Sequence, residues 1–463
     1  MLENYSIVVT RYFVEIIAQS KQALVGLQKL ELDLFQPTSK AKVDENKFTI
    51  EGLITLDDVG RLVEKGYKVL VKKQSTPESP ATLETTSFRD WVGTTETRLR
   101  DVKERDSASF VASSPGYLTT EGIDAAIQHI AKLYPSLVQT IVLPHKTHED
   151  RRCRAVKISA DNAATRSGML FLGGVHAREI VNPDALVNLA LNLCHAYTTN
   201  MGLTLGGKSY DAKSLKQIVE SLDLYIFPLV NPDGRAFVQA PNGDVWWRKN
   251  RNPNPGFEYQ GVDLNRNYDF LWSSGIGTSS NPATEIYKGK QPSSEPETRN
   301  VIHLINDYQN INRVIDVHSY SELILYPWGD DENQTEDPDM NFKNPSYDGH
   351  RGHPGDSIYQ EYIHKKDLEW YHTTGNRIRD AIAAVRGTIY QVQPSMNLYP
   401  TSATCHDFIY SLRYNGANRD IMAFTIETAK RFQPPFSEAM NIMSEISAGL
   451  LESCLVSSNT QEP

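Results

Sequence analysis

The segment GMLFLGGVHAREIVNPD, residues 168–184, decides the fold, because it joins an apolar strand to a turn and to the start of a helix. The run at 168–174 is apolar throughout, which is typical of a strand buried on both faces of a sheet. The Asn-Pro pair at 182–183 then resembles a helix N-cap followed by proline at the first helical position. His176 and Glu179 are therefore expected on a tight turn at the carboxyl end of a buried strand.

Apolar runs of the same kind recur along the chain and are separated by helical patterns. The runs lie at 222–230, 313–317 and 421–426, and the helical patterns at 184–195, 380–385 and 437–451. Strands that alternate with helices predict an α/β domain with a mixed, mostly parallel sheet covered by helices on both faces. Such sheets bind ligands beyond the carboxyl ends of their strands, so His176 and Glu179 stand where a site is expected.

Two further segments precede this domain. Residues 1–75 show predicted elements in the order β-α-β-β-α-β, which is typical of a small ferredoxin-like α+β domain. Residues 76–114 are rich in Pro, Thr and charge but poor in apolar periodicity, which predicts a linker with room for one exposed helix. The large domain is then expected to span residues 115–457.

The composition excludes several classes of protein. The chain has 463 residues, of which 40% are hydrophobic and 22% are charged, so collagen-like, coiled-coil and wholly disordered structures are excluded. Its formal net charge of −10 argues against nucleic acid as a partner. The four cysteines lie far apart without a C-x-x-C pair, so the sequence allows at most one or two disulfides and predicts no cysteine zinc site.

The sequence predicts neither a membrane-spanning segment nor a secretory signal. No run of about 18 apolar residues occurs, which predicts that no segment spans a membrane. The apolar stretch at 5–19 is interrupted by Arg11 and Glu15 and is followed by no small-residue cleavage site, so a secretory signal is not expected. We therefore expect a cytoplasmic protein as the chain stands, or a secreted one whose true start is missing.

The residue types at the strand ends suit a catalytic metal. His176 and Glu179 offer the nitrogen and oxygen ligands that zinc binds, and a catalytic zinc site takes three protein ligands and one water. His318, which follows the run at 313–317, is the best distant candidate for the third ligand. Glu427, which follows another apolar run, can act as a general base beside a metal-bound water. Each of these residues alone is also compatible with an ordinary hydrogen bond or ion pair.

A cationic group accompanies these candidates. Arg248 lies in WWRKNR, and Asn265 and Arg266 lie in GVDLNRNYDF. An arginine binds a carboxylate through two parallel hydrogen bonds, and an arginine beside a metal stabilises an oxyanion. Without such roles, arginine-rich loops are usually solvated surface.

The segment at 330–369 is acidic and irregular, with 11 Asp and Glu against 4 Lys and Arg. So long an irregular stretch is either functional or mobile, or else a solvated excursion from the surface. His350 and His353 within it form only a weak metal-binding pattern.

Six ordered motifs resemble those of the zinc metallocarboxypeptidases of the carboxypeptidase A type, particularly the bacterial members. They are GGVHARE, WRKNR, DLNRNYDF, HSYSELILYPWG, LYPTSATCHDFIY and FTIET, and they cover roughly residues 115–454. The resemblance implies a hydrolase that uses one zinc ion to cleave the C-terminal peptide bond of a peptide or protein. It implies Glu427 as the general base and Arg248 as the arginine that polarises the carbonyl. The zinc ligands that it implies are His176, Glu179 and His318.

The same resemblance assigns the contacts with substrate. Asn265 and Arg266 would hold the terminal carboxylate with help from Tyr399, and Arg178 and Tyr320 would line the neighbouring upstream subsites. These roles require a substrate with a free C-terminal carboxylate.

The resemblance offers two candidates for the tyrosine of the carboxylate site, Tyr390 and Tyr399. Tyr390 imitates the tyrosine segment of the animal enzymes, but Tyr399 stands eight residues before Asp407, which is the family spacing. His406 falls where the family sets the preferred C-terminal side chain. Family members carry apolar or acidic residues there, so a histidine leaves the preferred side chain open.

Three hypotheses remain open for the protein as a whole. The N-terminal unit resembles the family's activation segment and is expected to pack on the catalytic domain; it would either be cut off within 74–114 or remain as a permanent accessory domain. An endo-acting zinc amidase on cell-wall-type peptides is an alternative, and Arg266 argues against it. A non-catalytic binding module on the same scaffold is the third, and the complete set of candidate residues argues against it.

Overall fold

The computed structural model describes most of the chain. The described residues are 10–20, 23, 26–27, 30, 32–34, 42–44, 47–75, 83–93, 107–109, 116–161, 166–257, 260–353, 355, 357–416 and 419–459. In the N-terminal unit, where the predicted order β-α-β-β-α-β places a first helix, residues 23, 26 and 27 are described as helical.

The N-terminal domain is a four-stranded antiparallel sheet with a helix between its last two strands. Its elements are β1 (Arg11–Ala18), β2 (Lys42–Asp44), β3 (Lys47–Thr55), α1 (Leu56–Glu64) and β4 (Lys68–Ser75), and the strand order is β2-β3-β1-β4. Helix α1 begins with a capping box, because the Thr55 hydroxyl accepts from the Asp58 N–H while the Asp58 carboxylate accepts from the Thr55 N–H. The predicted small N-terminal domain is therefore present.

The large domain is built on one mixed sheet of eight strands. Its strands are β5 (Val138–Val142), β6 (Arg154–Ile158), β7 (Ser167–Gly173), β8 (Leu222–Phe227), β9 (Ile311–Ser319), β10 (Leu323–Tyr326), β11 (Gln391–Pro394) and β12 (Met422–Thr428). Their order is β11-β10-β12-β9-β7-β8-β6-β5. The four central strands, β12, β9, β7 and β8, run parallel to one another, and the outer pairs β10–β12, β8–β6 and β6–β5 are antiparallel.

Helices cover both faces of this sheet, as predicted. They are α2 (Thr120–Leu133), α3 (Val181–Thr199), α4 (Ala212–Ser221), α5 (Pro232–Gln239), α6 (Pro296–Asp307), α7 (Lys365–Arg386), α8 (Cys405–Ser411) and α9 (Phe436–Asn459). Apolar residues of α2, α3, α4, α7 and α9 form one core with the sheet, and those of α6 and α8 form the main helical part of a second core.

The central strand β7 shows why its sequence is apolar without alternation. Met169 and Phe171 belong to the first core, whereas Leu170 and Leu172 belong to the second. Successive side chains of a strand point to opposite faces, so a strand covered on both sides needs an apolar residue at every position.

Shorter elements complete the chain. Short strands lie at Thr85–Thr86, Ser107–Ser109, Tyr117–Leu118, Gly202–Leu205, Lys208–Tyr210, Asn333–Gln334 and Glu361–Tyr362, and 3-10 turns at Leu264–Arg266, Trp272–Ser274, Pro345–Tyr347 and Ser395–Asn397. Two of these strands fall in the segment predicted as a linker, and each pairs with a strand outside it. Trp91 in the same segment is buried in the first core, because its ring packs near those of Phe88 and His129.

The structure bears on two expectations from the sequence, the disulfides and the membrane-spanning segments. All four cysteines are buried and carry free thiols, so none of the possible disulfides forms. Within the described ranges, no helix combines the length and the apolar character needed to cross a membrane.

The long loops after α5 are fastened to the start of α6 by buried polar side chains. The Asn250 amide donates to Glu295 Oε2 at 2.7 Å and to Glu297 Oε2 at 3.0 Å. The Glu295 N–H in turn donates to Asn267 Oδ1 at 3.1 Å. Burial and the neighbouring Glu295 raise the pKa of Glu297 to about 7, whereas hydrogen bonds from His148 and Asn250 overcome burial and lower the pKa of Glu295.

We expect the Glu297→Gln variant to be more stable than the wild type at pH 8 but not at pH 5. Folding raises the pKa of Glu297, so the folded state binds the extra proton and loses stability as pH rises between about 4.5 and 7. The full penalty is about 3 kcal/mol at about 1.4 kcal/mol per pKa unit, and glutamine removes it. Thermal unfolding at the two pH values is the measurement.

The matched control for this experiment is Glu295→Gln. Because the pKa of Glu295 is lowered on folding, its ionised form stabilises the protein, so this variant should be less stable at pH 8. Equal effects of the two substitutions at pH 8 would contradict the assignment.

Candidate active site

The site forms where three neighbouring parallel strands end. Strands β12, β9 and β7 lie side by side, and His318 on β9 is paired in register with Glu427 on β12. The turn after β7 carries His176 and requires Gly174, whose φ is +64° and whose added Cβ would lie 2.8 Å from Leu229. The predicted convergence at one sheet edge therefore follows from strand order and from this turn.

His176, Glu179 and His318 form a compact group, here called the metal cluster. His176 Nδ1 lies 2.7 Å from Glu179 Oε1 and 3.1 Å from His318 Nδ1, and His318 Nδ1 lies 3.1 Å from Glu179 Oε2. Ligand atoms around a tetrahedral zinc ion are roughly 3.3 Å apart, since each bond is about 2.0–2.2 Å. The three side chains are at most 3% exposed. Their lone pairs thus converge on one point and fit a single zinc ion.

A second carboxylate stands behind each histidine of the metal cluster. His176 Nε2 lies 3.1 Å from Asp263 Oδ1, and His318 Nε2 lies 2.9 Å from Asp316 Oδ2. Carboxylates in this position hold a proton on the outer nitrogen and leave the inner nitrogen free to bind a metal. Although burial lowers it, Asp316 and Glu179 raise the pKa of His318 well above its ordinary value.

Asp263 connects the metal cluster with the cationic loops. Its Oδ1 accepts from His176 Nε2 and from the Asn265 N–H, and its Oδ2 accepts from Arg248 Nε at 3.1 Å and Nη2 at 2.9 Å. Although burial opposes it, the Arg248 and His176 side chains hold the pKa of Asp263 well below its usual range. One ionised carboxylate therefore fixes three of the predicted site residues.

Arg266 lies at the end of a 3-10 turn with its guanidinium held from three sides. Its Nε donates to the Gly277 carbonyl at 2.8 Å, its Nη1 to the Asn265 carbonyl at 2.8 Å and its Nη2 to Tyr399 Oη at 3.3 Å. The Asn265 side-chain oxygen accepts from the Cys405 N–H at 2.8 Å, which fixes the orientation of that amide.

Glu427 stands beside the metal cluster and is half-buried. Burial and the neighbouring Glu179 raise the pKa of Glu427 to about 8 although His318 lowers it, and a divalent cation beside a carboxylate favours its ionised form. The hydroxyl oxygen of the next residue, Thr428, lies 2.9 Å from the His318 carbonyl oxygen and 3.2 Å from Asn182 Oδ1. The contact between Thr428 and His318 holds the end of β12 against the end of β9.

One open cleft brings most of the predicted residues together. The predicted residues that line it are His176, Arg178, Glu179, Arg248, Asn265, Arg266, Tyr320, Tyr399 and Glu427. His318 is buried just behind this wall. His406 is also buried behind the described wall of the cleft, with its Nδ1 3.0 Å from Thr425 Oγ1.

The alternative tyrosine and the two histidines of the acidic segment are not among the residues that line the cleft. Tyr390 is buried in the first core, where its hydroxyl lies 3.3 Å from Glu445 Oε2, so it is separate from the Arg266 group. His350 and His353 are exposed. The acidic segment is only partly a solvated excursion, because Asp330 and Glu361 within it are fully buried.

A second group of ligand-type side chains exists among the described residues. His148, Glu295 and Glu297 have atoms within 4.8 Å of one another. However, both carboxylates already accept from Asn250, and Glu295 also accepts from Asn252. The two carboxylates of this group are therefore already occupied with hydrogen bonds from asparagine amides.

Sequence reasoning missed three aspartates that contact the predicted residues. Asp263 lies in the quoted motif DLNR and could have been found from its position two residues before Asn265. Asp316 lies two residues before His318, so strand alternation places it on the same sheet face. Asp33 of the N-terminal domain accepts from Arg178 at 2.6 and 2.9 Å, and no local pattern marks it.

The N-terminal domain contributes residues to the same cleft. Leu27, Leu32 and Leu34 line it together with Asp33. The Arg178 guanidinium also lies 4.1 Å from the centre of the Phe432 ring, and Leu53 of β3 packs against that phenylalanine. Asp33 therefore meets Arg178 in a largely apolar setting.

Known proteins resemble this chain in sequence. Carboxypeptidase A4 of Mus musculus is 29% identical over 314 residues, which are 67% of this chain and 62% of that protein. Metallocarboxypeptidase A of Trichophyton tonsurans is 37% identical over 190 residues, which are 40% of this chain and 41% of that protein. The aligned regions thus span less than two thirds of these relatives.

Solved structures show the same architecture. The crystal structure of thrombin activatable fibrinolysis inhibitor superposes with a TM-score of 0.65 at 21% identity, covering 97% of this chain and 100% of that one. Carboxypeptidase A from Helicoverpa armigera gives a TM-score of 0.68 at 18% identity, covering 99% and 100%. These similarities concern the fold and confirm the predicted fold class.

The family itself is identified by a sequence model. The model described as zinc carboxypeptidase matches residues 123–446, which is most of the large domain. The resemblance drawn from the six motifs is confirmed at the level of the family, and the likeness to bacterial members stays a prediction. The chain belongs to the zinc carboxypeptidase family.

Proposed function

We propose that the protein is a zinc-dependent exopeptidase that releases the C-terminal residue of a peptide or protein. The observation that carries this proposal is the presence, in one cleft, of the metal cluster and a buried arginine that can bind a carboxylate. A substrate carboxylate bound at Arg266 would place the last peptide bond beside the metal cluster. Family membership supports the same activity.

Asn265, Arg266 and Tyr399 are proposed to form a carboxylate clamp. Arg266 is 2% exposed, and one of its Nη2 contacts is the hydroxyl of Tyr399, which can move aside or share the substrate carboxylate. A peptide with a blocked C-terminus would leave this buried cation without its partner, at a cost on the order of a few kcal/mol. The clamp therefore favours exopeptidase over endo-acting cleavage.

The side chains around the metal cluster have complementary roles in hydrolysis. When bound, zinc lowers the pKa of a water molecule to about 7 and polarises a carbonyl oxygen. Glu427 accepts a proton from the attacking water and passes it to the leaving amine. Arg248, held in place by Asp263, stabilises the negative charge that develops on the carbonyl oxygen.

We also infer that the N-terminal domain packs on the catalytic domain and restrains this activity. The supporting contacts are the bidentate Asp33–Arg178 ion pair and the ion pair of Arg11 with Glu285. Arg178 and Tyr320 are the residues proposed for the upstream subsites, and both lie at this contact. A long substrate would compete with the N-terminal domain for them, whereas a dipeptide would not.

The Asp263→Asn variant is expected to bind zinc about 10- to 100-fold more weakly, because the amide no longer holds a proton on the outer nitrogen of His176. Competition with a chelating dye measures the affinity. His148→Ala removes a ligand-type residue from the second group and should keep one zinc per chain. Loss of zinc in His148→Ala with full retention in Asp263→Asn would contradict the location of the site.

The Glu427→Gln variant should keep its zinc but lose about 10²- to 10⁴-fold in kcat, because the amide cannot accept a proton from water. Turnover of a peptide with a free C-terminus is the measurement, and the exposed Glu121→Gln is the control. The wild type should also discriminate against the same peptide with an amidated C-terminus. Equal rates on free and amidated peptides would rule out the exopeptidase proposal.

The Asp33→Ala variant should cleave long peptides several-fold faster than the wild type, with a smaller change on blocked dipeptides. Removing one partner of a buried ion pair costs about 3–5 kcal/mol and weakens the hold of the N-terminal domain on Arg178. The ratio of kcat/KM for a decapeptide and a dipeptide measures the effect. Lys72→Ala, which removes an exposed ion pair within the N-terminal domain, should leave this ratio unchanged.

A further inference from the structure

Two buried carboxyl groups of the acidic segment contact each other. Asp330 and Glu361 are both 0% exposed, and their side chains are hydrogen-bonded to one another. An ionised carboxylate has acceptors only, so a hydrogen bond between two carboxyl groups requires a proton on one of them. We call Asp330 and Glu361 the carboxyl pair. The pair therefore holds at least one proton as long as this contact exists.

The donors around the carboxyl pair are distributed unequally. Glu361 Oε1 accepts from the Phe342 N–H at 2.9 Å, and Glu361 Oε2 accepts from the Tyr359 hydroxyl at 2.5 Å. Apart from its contact with Glu361, Asp330 accepts no side-chain hydrogen bond from another described residue. A buried carboxylate without donors is costly, so the shared proton is what makes the burial of Asp330 tolerable.

The charges near the carboxyl pair favour retention of that proton. Burial and the neighbouring Asp331 raise the pKa of Asp330 to about 7, against the opposing charge of Arg351. Burial and the charge of Asp330 raise the pKa of Glu361 well above its ordinary value. On helix α8, burial raises the pKa of Asp407, and the charge of Asp330 adds to that rise. The pair is therefore expected to keep a proton at neutral pH and to lose it at alkaline pH.

The carboxyl pair closes the acidic segment on itself. The segment leaves the large domain at Asp330 and returns to the pair at Glu361. Beside the pair, the Glu361 N–H donates to the Glu332 carbonyl at 2.7 Å, and the Gly352 N–H donates to Asp331 Oδ2 at 2.8 Å. Repulsion between two ionised members of the pair would act directly on these neighbouring bonds.

One end of the closed segment supports the loop that carries Tyr399. The carbonyl of Gly329, the residue before Asp330, accepts from the Thr401 N–H at 2.7 Å. Tyr399 and Pro400, which directly precede Thr401, line the cleft. The position of Tyr399 is thus linked to the carboxyl pair through two short stretches of backbone.

The other end supports the loop that holds Arg266. Gly352 packs so closely on Ile276 that an added Cβ would lie 3.0 Å from Ile276 Cγ2. The Ile276 carbonyl accepts from the Ser402 N–H at 2.9 Å, and the carbonyl of the next residue, Gly277, accepts from Arg266 Nε at 2.8 Å. The acidic segment therefore supports both the arginine and the tyrosine of the proposed carboxylate clamp.

We propose that the carboxyl pair is a proton-dependent lock that keeps the acidic segment closed and thereby sets how tightly the carboxylate clamp binds the substrate's terminus. This proposal rests on the exopeptidase function proposed above. When both carboxyl groups ionise, like charges meet in a buried place and the segment opens. Because the folded pair holds a proton above the ordinary pKa of a carboxyl group, opening is favoured as pH rises.

The Asp330→Asn variant is expected to stay closed at every pH. Its amide N–H donates to Glu361 without a titrating proton, and Glu361 keeps its own donors. Trypsin treatment of the zinc-loaded, full-length protein measures the opening, through cleavage after the exposed Lys343 of the same segment. We expect similar cleavage rates for the two proteins at pH 7, and several-fold faster cleavage of the wild type at pH 10. Each comparison is made at one pH, so the pH dependence of trypsin cancels.

Kinetics test the link between the lock and the clamp. The substrate is a blocked dipeptide with a free C-terminal carboxylate, assayed at pH 7 and pH 10. The KM of the wild type relative to Asp330→Asn should rise several-fold between these pH values, while the kcat ratio should change by less than about twofold, because the lost interaction is one of binding. A substitution that merely damaged the fold would not improve the KM selectively at alkaline pH.

The matched control is Asp339→Asn, which removes the same charge from an exposed position of the acidic segment. It should follow the wild type in both assays. Identical pH profiles of the wild type and Asp330→Asn in the trypsin assay would overturn the lock. A difference in cleavage without a difference in KM would overturn its role in substrate binding. If Asp330→Asn does not fold, Glu361→Gln provides the same permanent donor from the other side.

Two further outcomes separate this proposal from its alternatives. If calcium chloride slows trypsin cleavage of the wild type at pH 10 but not that of Asp330→Asn, the pair binds a cation in place of a proton and the proposal is overturned. If no peptide with a free carboxylate is hydrolysed, the exopeptidase function fails, and the trypsin assay still decides whether the lock exists.

Discussion

The arrangement of the cleft depends on one buried carboxylate. Asp263 is fully buried and accepts hydrogen bonds from His176, Arg248 and the backbone of Asn265. An ionised group in such a place is tolerable only when its charge is matched, and here two cationic or donor side chains match it. The metal cluster, the arginine beside it and the proposed carboxylate clamp are therefore not independent parts. His176, Arg248 and the backbone N–H of Asn265 all contact the two carboxylate oxygens of Asp263, which fixes the position of each.

The positions of the residues at the strand ends were predictable from the sequence, because the strands of the sheet were predictable from their apolar runs. A continuous apolar run identifies a strand covered on both faces, and parallel strands of one sheet end at one edge. His176, Glu179, His318 and Glu427 each follow such a run, so their convergence follows from the strand order β12-β9-β7. The loop residues Arg248, Asn265 and Arg266 follow no periodicity; the chemistry of their side chains marked them as candidates, and the resemblance to a family supplied their individual roles.

The contacts that the sequence could not predict join residues far apart without a local signature. Asp33 and Arg178 are 145 positions apart, and no local pattern around either residue indicates their pairing. Trp91 is buried although its neighbours read as a linker, because a single large ring can bury substantial apolar area without any periodic pattern. Burial of Asp330 and Glu361 likewise depends on how an irregular segment folds back on itself.

The hydrogen bond from the Cys405 N–H to Asn265 has a mechanical consequence. It anchors the first turn of the short helix α8 to the residue that would touch a substrate's terminal carboxylate. The same turn carries His406, whose Nδ1 lies 3.0 Å from Thr425 Oγ1 on the central strand β12. A displacement of the Asn265 amide would therefore pass through a single peptide group to a helix that is also fixed to the sheet, so substitutions at Asn265 and at Thr425 would not be additive in their effects.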